Sequence, residues 1–193
     1  MPGQPKVLAF SGSTRRASYN RRLIEIGAAG AREAGAVVTL LDLANYPMPL
    51  YQGDLEAEQG LPENALRLRQ IFAAHDALLI SAPEYNSSVA PLLKNTIDWV
   101  SRPTASEPSL KYIQGKIAGL LSASPGRLGG LRGLTHLRQI LGNIEVMVIP
   151  QQLAVGGAAD AFDQQGQLKD EQLQAAARDV GRRLAEVSAR LIG

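Results

Sequence analysis

From Ser11 to Asn20 the chain reads SGSTRRASYN, directly after the apolar run VLAF. Ser11, Ser13, Thr14 and Ser18 carry hydroxyl donors, Arg15 or Arg16 supplies a fork of positive charge, and Asn20 can cap a helix. Small hydroxyl residues between a strand and a helix build an anion socket. The first helical N–H groups there lack partners, and the helix dipole favours negative charge at that end. The chemistry this stretch implies is the holding of a phosphate-bearing ligand.

Two further loops have unusual composition. Ala82–Val89 reads APEYNSSV, where Pro83 forces the chain out of a buried strand and leaves Glu84, Tyr85 and Asn86 with exposed backbone groups. Such backbone, with Asn86, suits the imide-like edge of a planar heterocycle, with Tyr85 near its ring. Alternatively, Asn86, Ser87 or Ser88 is the N-cap of the next helix. Glu84 is either a solvated charge or the partner of an arginine. Ser122–Gly130 reads SASPGRLGG, whose Gly126, Gly129 and Gly130 allow close backbone approach to a ligand. The GGLRG that ends it lacks GxGxxG spacing and is a weak dinucleotide fingerprint. The sequence contains neither GxxxxGK[ST] nor GxSxG, which argues against P-loop and α/β-hydrolase chemistry.

These loops need elements to carry them. The pattern predicts strands at Lys6–Phe10, Val37–Leu41, Ala77–Ala82, Ile117–Ser122 and Glu145–Ile149. It predicts helices at Asn20–Ala34, Glu63–His75, Ser88–Val100 (Pro91 in its first turn), Gly130–Leu141 and Asp170–Leu191. Ala44–Pro62 reads as a long irregular stretch. Its Tyr46–Gln59 portion is long enough to be a lid or partner surface, with Tyr51 and Asp54 able to reach a neighbouring site, or simply surface decoration. Continuous apolar strands separated by helices imply a parallel sheet covered on both faces, in a single domain over residues 1–193. The order 2-1-3-4-5 fits best. Its switch point lies between the first and third strands, so the loops after strands one, three and four should form one site. Trp99 points away from the sheet if Leu93, Ile97 and Val100 face it. It is then either a contact with a second subunit or a partly exposed side chain under the long stretch.

The chain has 193 residues, 45% hydrophobic and 20% charged, with net charge +2, which is ordinary globular composition. The positive balance suits anionic small molecules, and no nucleic-acid motif accompanies it. The absence of cysteine removes disulfides and thiolate catalysis, and two histidines outside any ligand-spaced motif leave no metal site to expect. With no apolar run long enough to span a bilayer and no signal-like segment in MPGQPK, the expected location is the cytoplasm.

SGSTRRASYN, then PMPLY, then PEYNSSVAPLLKNTIDWVSR, then SASPGRLGG, in that order over roughly residues 5–150, closely resembles the NADPH-dependent FMN reductase family of the flavodoxin-like superfamily. Quinone, azo-dye and chromate reductases belong to the same group. The resemblance implies a flavodoxin-like three-layer sandwich with bound FMN and with NADPH or NADH as co-substrate. Ser13, Arg15, Ser18 and Asn20, with Tyr19 beside them, would hold the FMN phosphate. Pro83, Glu84, Tyr85 and Asn86 would line the isoalloxazine and ribityl chain, and Ser122, Ser124 and Gly126 would close the far side. No side chain is expected to act as nucleophile or obligatory base. The acceptor would be a small molecule: a quinone, a free flavin, an azo compound or chromate. Arg16 and Arg127 are candidates for the 2′-phosphate of NADPH. The resemblance further implies a homodimer or homotetramer. A flavodoxin-type electron carrier that binds FMN without turning over NAD(P)H is the alternative reading, and a nucleotide-sensing or structural domain the third.

Overall fold

The computed structural model describes residues 3–192. The chain runs β1 (Lys6–Ser11), α1 (Tyr19–Glu33), β2 (Val37–Leu41), α2 (Gly53–Gln59), α3 (Glu63–Ala73), β3 (Ala77–Ser81), β4 (Glu84–Tyr85), β5 (Ser88–Val89) and α4 (Pro91–Val100). It continues through β6 (Ile117–Ala123), α5 (Leu131–Asn143), β7 (Met147–Val155), α6 (Ala158–Ala161) and α7 (Glu171–Ile192). Five strands form one parallel sheet in the order β2-β1-β3-β6-β7, the 2-1-3-4-5 order expected of its strands.

Side-chain alternation along the central strands divides the core in two. Val7, Ala9, Leu79 and Leu121 face α1 and α7, where they meet Leu23, Ala177, Val180 and Leu184. Leu8, Phe10, Leu78, Ile80 and Leu120 face α3, α4 and α5, where they meet Phe72, Leu93, Ile97, Leu134 and Leu137. Helices on both faces complete a flavodoxin-like three-layer sandwich. The α1–α7 crossing is a backbone contact. A Cβ on Gly181 would stand 1.8 Å from the Gly27 carbonyl oxygen, and one on Gly30 would stand 2.0 Å from that of Arg178.

The structure departs from the sequence pattern at four places. The stretch expected to be irregular holds a 3-10 turn at Leu43–Asn45 and the helix α2. No residue of α2 is buried, so it had no apolar periodicity to reveal it. The predicted Ser88 helix starts at Pro91, because residues 84–89 first form the β4–β5 hairpin. β7 runs on to Val155, past a register shift opposite Ala118–Leu120. Arg138 binds the carbonyls of Val148 (3.2 Å) and Ile149 (3.0 Å) and Oε1 of Gln152 (2.9 Å) at that shift. The short helix α6 was not anticipated.

Trp99 is neither partly exposed nor available to a second subunit. It is fully buried beneath its own chain. Its Nε1 donates to the Pro49 carbonyl (2.8 Å), and the Tyr51 ring packs edge-on at 5.1 Å. Asn95 donates to the same carbonyl (2.9 Å) and accepts from Tyr51 N (2.8 Å). Beyond it, Glu56 accepts from the Tyr51 hydroxyl (3.0 Å) and from Arg102 Nε (2.8 Å), which ties α2 to the end of α4.

Candidate functional site

The three loops singled out by composition converge beyond the carboxyl ends of β1, β3 and β6. Their common cleft is lined by Ser13, Arg15, Ser18, Tyr19 and Asn20 from the first loop, Pro83, Glu84 and Tyr85 from the second, and Ala123, Ser124 and Pro125 from the third. Ala123 and Pro125 were not singled out from the sequence. Their signal was position alone, beside the two serines of SASPG.

In the first loop, Gly12 N donates to the Ser81 carbonyl (2.9 Å), Ser13 N to Ser11 Oγ (3.2 Å) and Arg15 N to Ser13 Oγ (3.4 Å). Ser18, not Asn20, is the N-cap of α1; its side chain makes no capping bond, and the first turn contains no acid. An uncapped, uncompensated helix N-terminus beside two serine hydroxyls and Arg15 attracts an anion through hydrogen bonding and charge together. Tyr19 borders the cleft, while its ring stacks on Phe162 at 6.1 Å.

Asn20 is a strap within the sheet. Its Nδ2 donates to the Ala123 carbonyl (2.8 Å), and its Oδ1 accepts from Ala123 N (2.9 Å) and from Ser81 Oγ (2.9 Å). Both lone pairs of Oδ1 are taken, and the residue is buried, so its side-chain oxygen is committed to tying the ends of β3 and β6 to the first turn of α1. Ser122 behaves likewise. It is fully buried and donates from Oγ to the Ala82 carbonyl (2.7 Å), outside the cleft.

In the second loop, Asn86 and Ser87 form the two-residue turn of the β4–β5 hairpin, with φ of 49° and 67°. Positive φ at both positions matches hairpin twist, and it is unusual for serine. Asn86 is exposed at the tip instead of lining the cleft wall, and Tyr85 is half-exposed at its rim. The Glu84 carboxylate turns toward α5 and pairs with Arg132, the arginine partner foreseen as one alternative. In the third loop, Ser124 faces the cleft, while Gly126 lies exposed outside it. GGLRG is a packing device: Gly130, at φ 94°, is the N-cap of α5, and a Cβ there would stand 1.9 Å from Ser122 Oγ. Arg16 and Arg127 are both exposed, and neither borders the cleft wall.

A bare helix N-terminus with serines and an arginine at the switch point of a 2-1-3-4-5 sheet, facing the β4–β5 hairpin across the cleft, marks the flavodoxin-like class of proteins. The family model of the NADPH-dependent FMN reductases matches residues 5–160. An NAD(P)H-dependent FMN reductase of Pseudomonas aeruginosa is 41% identical over 167 residues, covering 86% of this chain and 85% of the relative. A quinone reductase of Escherichia coli is 35% identical over 160 residues, covering 79% and 77%. The solved flavoenzyme NAD(P)H:(acceptor) oxidoreductase FerB of Paracoccus denitrificans superimposes with a TM-score of 0.80 at 26% identity, covering 98% of this chain and 99% of that one. The chain belongs to the NADPH-dependent FMN reductase family. It is an NAD(P)H-dependent oxidoreductase with FMN as its cofactor.

Proposed function

We propose that the three-loop cleft holds FMN and that the acceptor is a quinone-class small molecule. The observation that carries the cofactor's placement is the bare N-terminus of α1, acid-free in its first turn and flanked by Ser13, Ser18 and Arg15. These groups would take the phosphate. Pro83, Tyr85 and the hairpin backbone would border the ring system, with Ser124 and Pro125 opposite.

Bound FMN supplies two-electron redox chemistry between NAD(P)H and the acceptor. The chain's own share is placement. The first loop would hold the anionic end, and the second and third would border the ring. Donor and acceptor would meet the bound flavin in turn, which would make the kinetics ping-pong, and no side chain is assigned a proton-transfer role. Quinones are favoured over other acceptors because the Escherichia coli relative is a quinone reductase.

We further propose one domain over residues 1–193, a homo-oligomer, and a cytoplasmic location. No helix among the described residues is long and apolar enough to cross a membrane. The test is a visible spectrum of purified protein followed by anaerobic NADPH and then a benzoquinone. A flavin spectrum bleached by NADPH and restored stoichiometrically by the quinone is expected. Protein that neither retains nor rebinds FMN overturns the cofactor placement. Bleaching by NADPH without recovery on adding quinone overturns the acceptor.

A further inference from the structure

We propose that Glu84 is a positioning residue: it seats the Tyr85–Asn86–Ser87 hairpin for the cofactor by capping α5 from outside that helix. The inference rests on the cleft's being the FMN site, and it departs from the simpler idea that Glu84 itself lines the flavin.

The N-cap of helix α5 is Gly130, which has no side chain with which to cap it. Its first N–H groups therefore need acceptors from elsewhere. Glu84 supplies one: Oε2 accepts from Gly133 N at 2.8 Å, three residues past the N-cap, where a capping side chain would normally reach. Its other oxygen accepts from Arg132 Nη2 at 3.1 Å. The Glu84 side chain is only 9% exposed, against 56% for Arg132, so the carboxylate is sealed between hairpin and helix. The negative charge thus sits at the positive end of α5 and beside a guanidinium, its oxygens spent on α5 although the residue borders the cleft.

The surrounding packing serves the same contact. A Cβ on Gly133 would lie 3.2 Å from the Ser88 carbonyl oxygen and 3.3 Å from Glu84 Cβ, so any larger residue there would make the helix or the hairpin give by a few tenths of an ångström. One turn farther along α5, His136 Nδ1 meets Ser88 Oγ at 3.0 Å. Glu84 is the first residue of β4, two positions before Asn86. The left-handed turn at Asn86 and Ser87 is a conformation that persists only where its surroundings hold it. Glu84 is the buried, charge-assisted part of that hold, and α5 continues directly from the third loop. One carboxylate therefore couples two walls of the cleft.

The experiment compares FMN titration, the visible circular dichroism of bound flavin and apo-protein melting in wild type, Glu84→Ala and Glu84→Gln. Losing a charge-assisted hydrogen bond should weaken FMN binding roughly ten- to a hundredfold in Glu84→Ala. Glu84→Gln keeps an acceptor for Gly133 N–H and should recover most of that loss. At saturating FMN the dichroism should change in Glu84→Ala and return toward wild type in Glu84→Gln. Wild-type affinity and dichroism in Glu84→Ala overturn the proposal. So does a lowered apo melting temperature with unchanged dichroism, which is what a merely structural residue would give. If Glu84→Ala does not fold, Arg132→Gln decides, since it removes only the more exposed partner. FMN binding weakened about two- to fivefold supports the proposal, and wild-type binding overturns it. A wild-type chain that binds no FMN fails the parent reading instead.

Discussion

The side chain of Asn20 and the backbone of Ala123 exchange two hydrogen bonds across 103 residues of sequence, at 2.8 and 2.9 Å. The amide imitates a strand neighbour at the point where β1 has ended and β6 has not, and it takes a third bond from Ser81 Oγ. The floor of the cleft is thus closed by one side chain in the first turn of α1. Asn20→Ala would leave the Ala123 N–H, its carbonyl and the Ser81 hydroxyl without these partners. The expected loss is about 2–4 kcal/mol of stability, because each buried polar group left unsatisfied carries its desolvation cost. A urea midpoint that falls at unchanged slope would confirm it.

The α1–α7 crossing makes a sharper stability prediction. Gly181→Ala and Gly30→Ala each drive a methyl group into a main-chain carbonyl of the opposing helix, which cannot swing aside as a side chain can. Each should cost about 3 kcal/mol or more, at the upper end of overpacking effects. Gly142→Ala is the control. It lies within α5 with nothing inside 4 Å of the new methyl group, and should stabilise by about 0.5–1 kcal/mol through helix propensity and a smaller unfolded-state entropy. Thermal melting of the three variants should therefore give shifts of opposite sign.

Why these features differed in legibility follows from where their information resides. The five sheet strands and the three loops were readable because apolar runs and glycine, proline and hydroxyl clusters are local signals. The seal over Trp99 was not, since the Pro49 carbonyl that accepts its proton lies 50 residues away and no periodicity encodes that pairing. Helix α2 buries nothing, so hydrophobic pattern was silent there. The hairpin was hidden because Asn86-Ser87 lacks the glycine that usually marks such a turn. The Asn20 amide and the Ser122 hydroxyl, both of types that suit a ligand, bond the strand ends in the structure. Residue type announces hydrogen-bonding capacity, and only the fold decides whether strand ends consume it first.

Acid sensitivity should centre on the bridge between α2 and α4. The Glu56 carboxyl is held below its ordinary value of 4.5, chiefly by its hydrogen bond from Arg102 and further by that from Tyr51, against opposing desolvation. A depressed carboxyl pKa means the unfolded chain binds the proton more readily. The contribution is therefore complete above the ordinary value and is lost as pH falls through the folded one. Denaturation midpoints followed downward from neutral pH should drop in that window, and Glu56→Gln should flatten this part of the acid limb while lowering the neutral-pH midpoint. An unchanged acid limb in Glu56→Gln would assign the transition elsewhere, with Glu107, held low chiefly by the Tyr112 hydroxyl and then by Lys111, next to test.

Arg15 and Arg16 are sequence neighbours with different positions, and the difference should separate cofactor binding from co-substrate choice. Arg15 borders the cleft at the uncapped start of α1, whereas Arg16 is exposed outside its wall. Arg15→Ala should weaken FMN binding about tenfold, the scale of one charge-assisted phosphate contact, and should reduce the salt dependence of binding. Arg16→Ala should leave FMN affinity unchanged. If its guanidinium meets the 2′-phosphate, KM for NADPH should rise several-fold while KM for NADH stays put, because only NADPH carries that group. The same pair of measurements on Arg127→Ala tests the other candidate. An NADPH preference unmoved in both variants would remove exposed arginines from coenzyme selection. Equal FMN affinity in Arg15→Ala and wild type would place the phosphate on α1's backbone amides and the two serines alone.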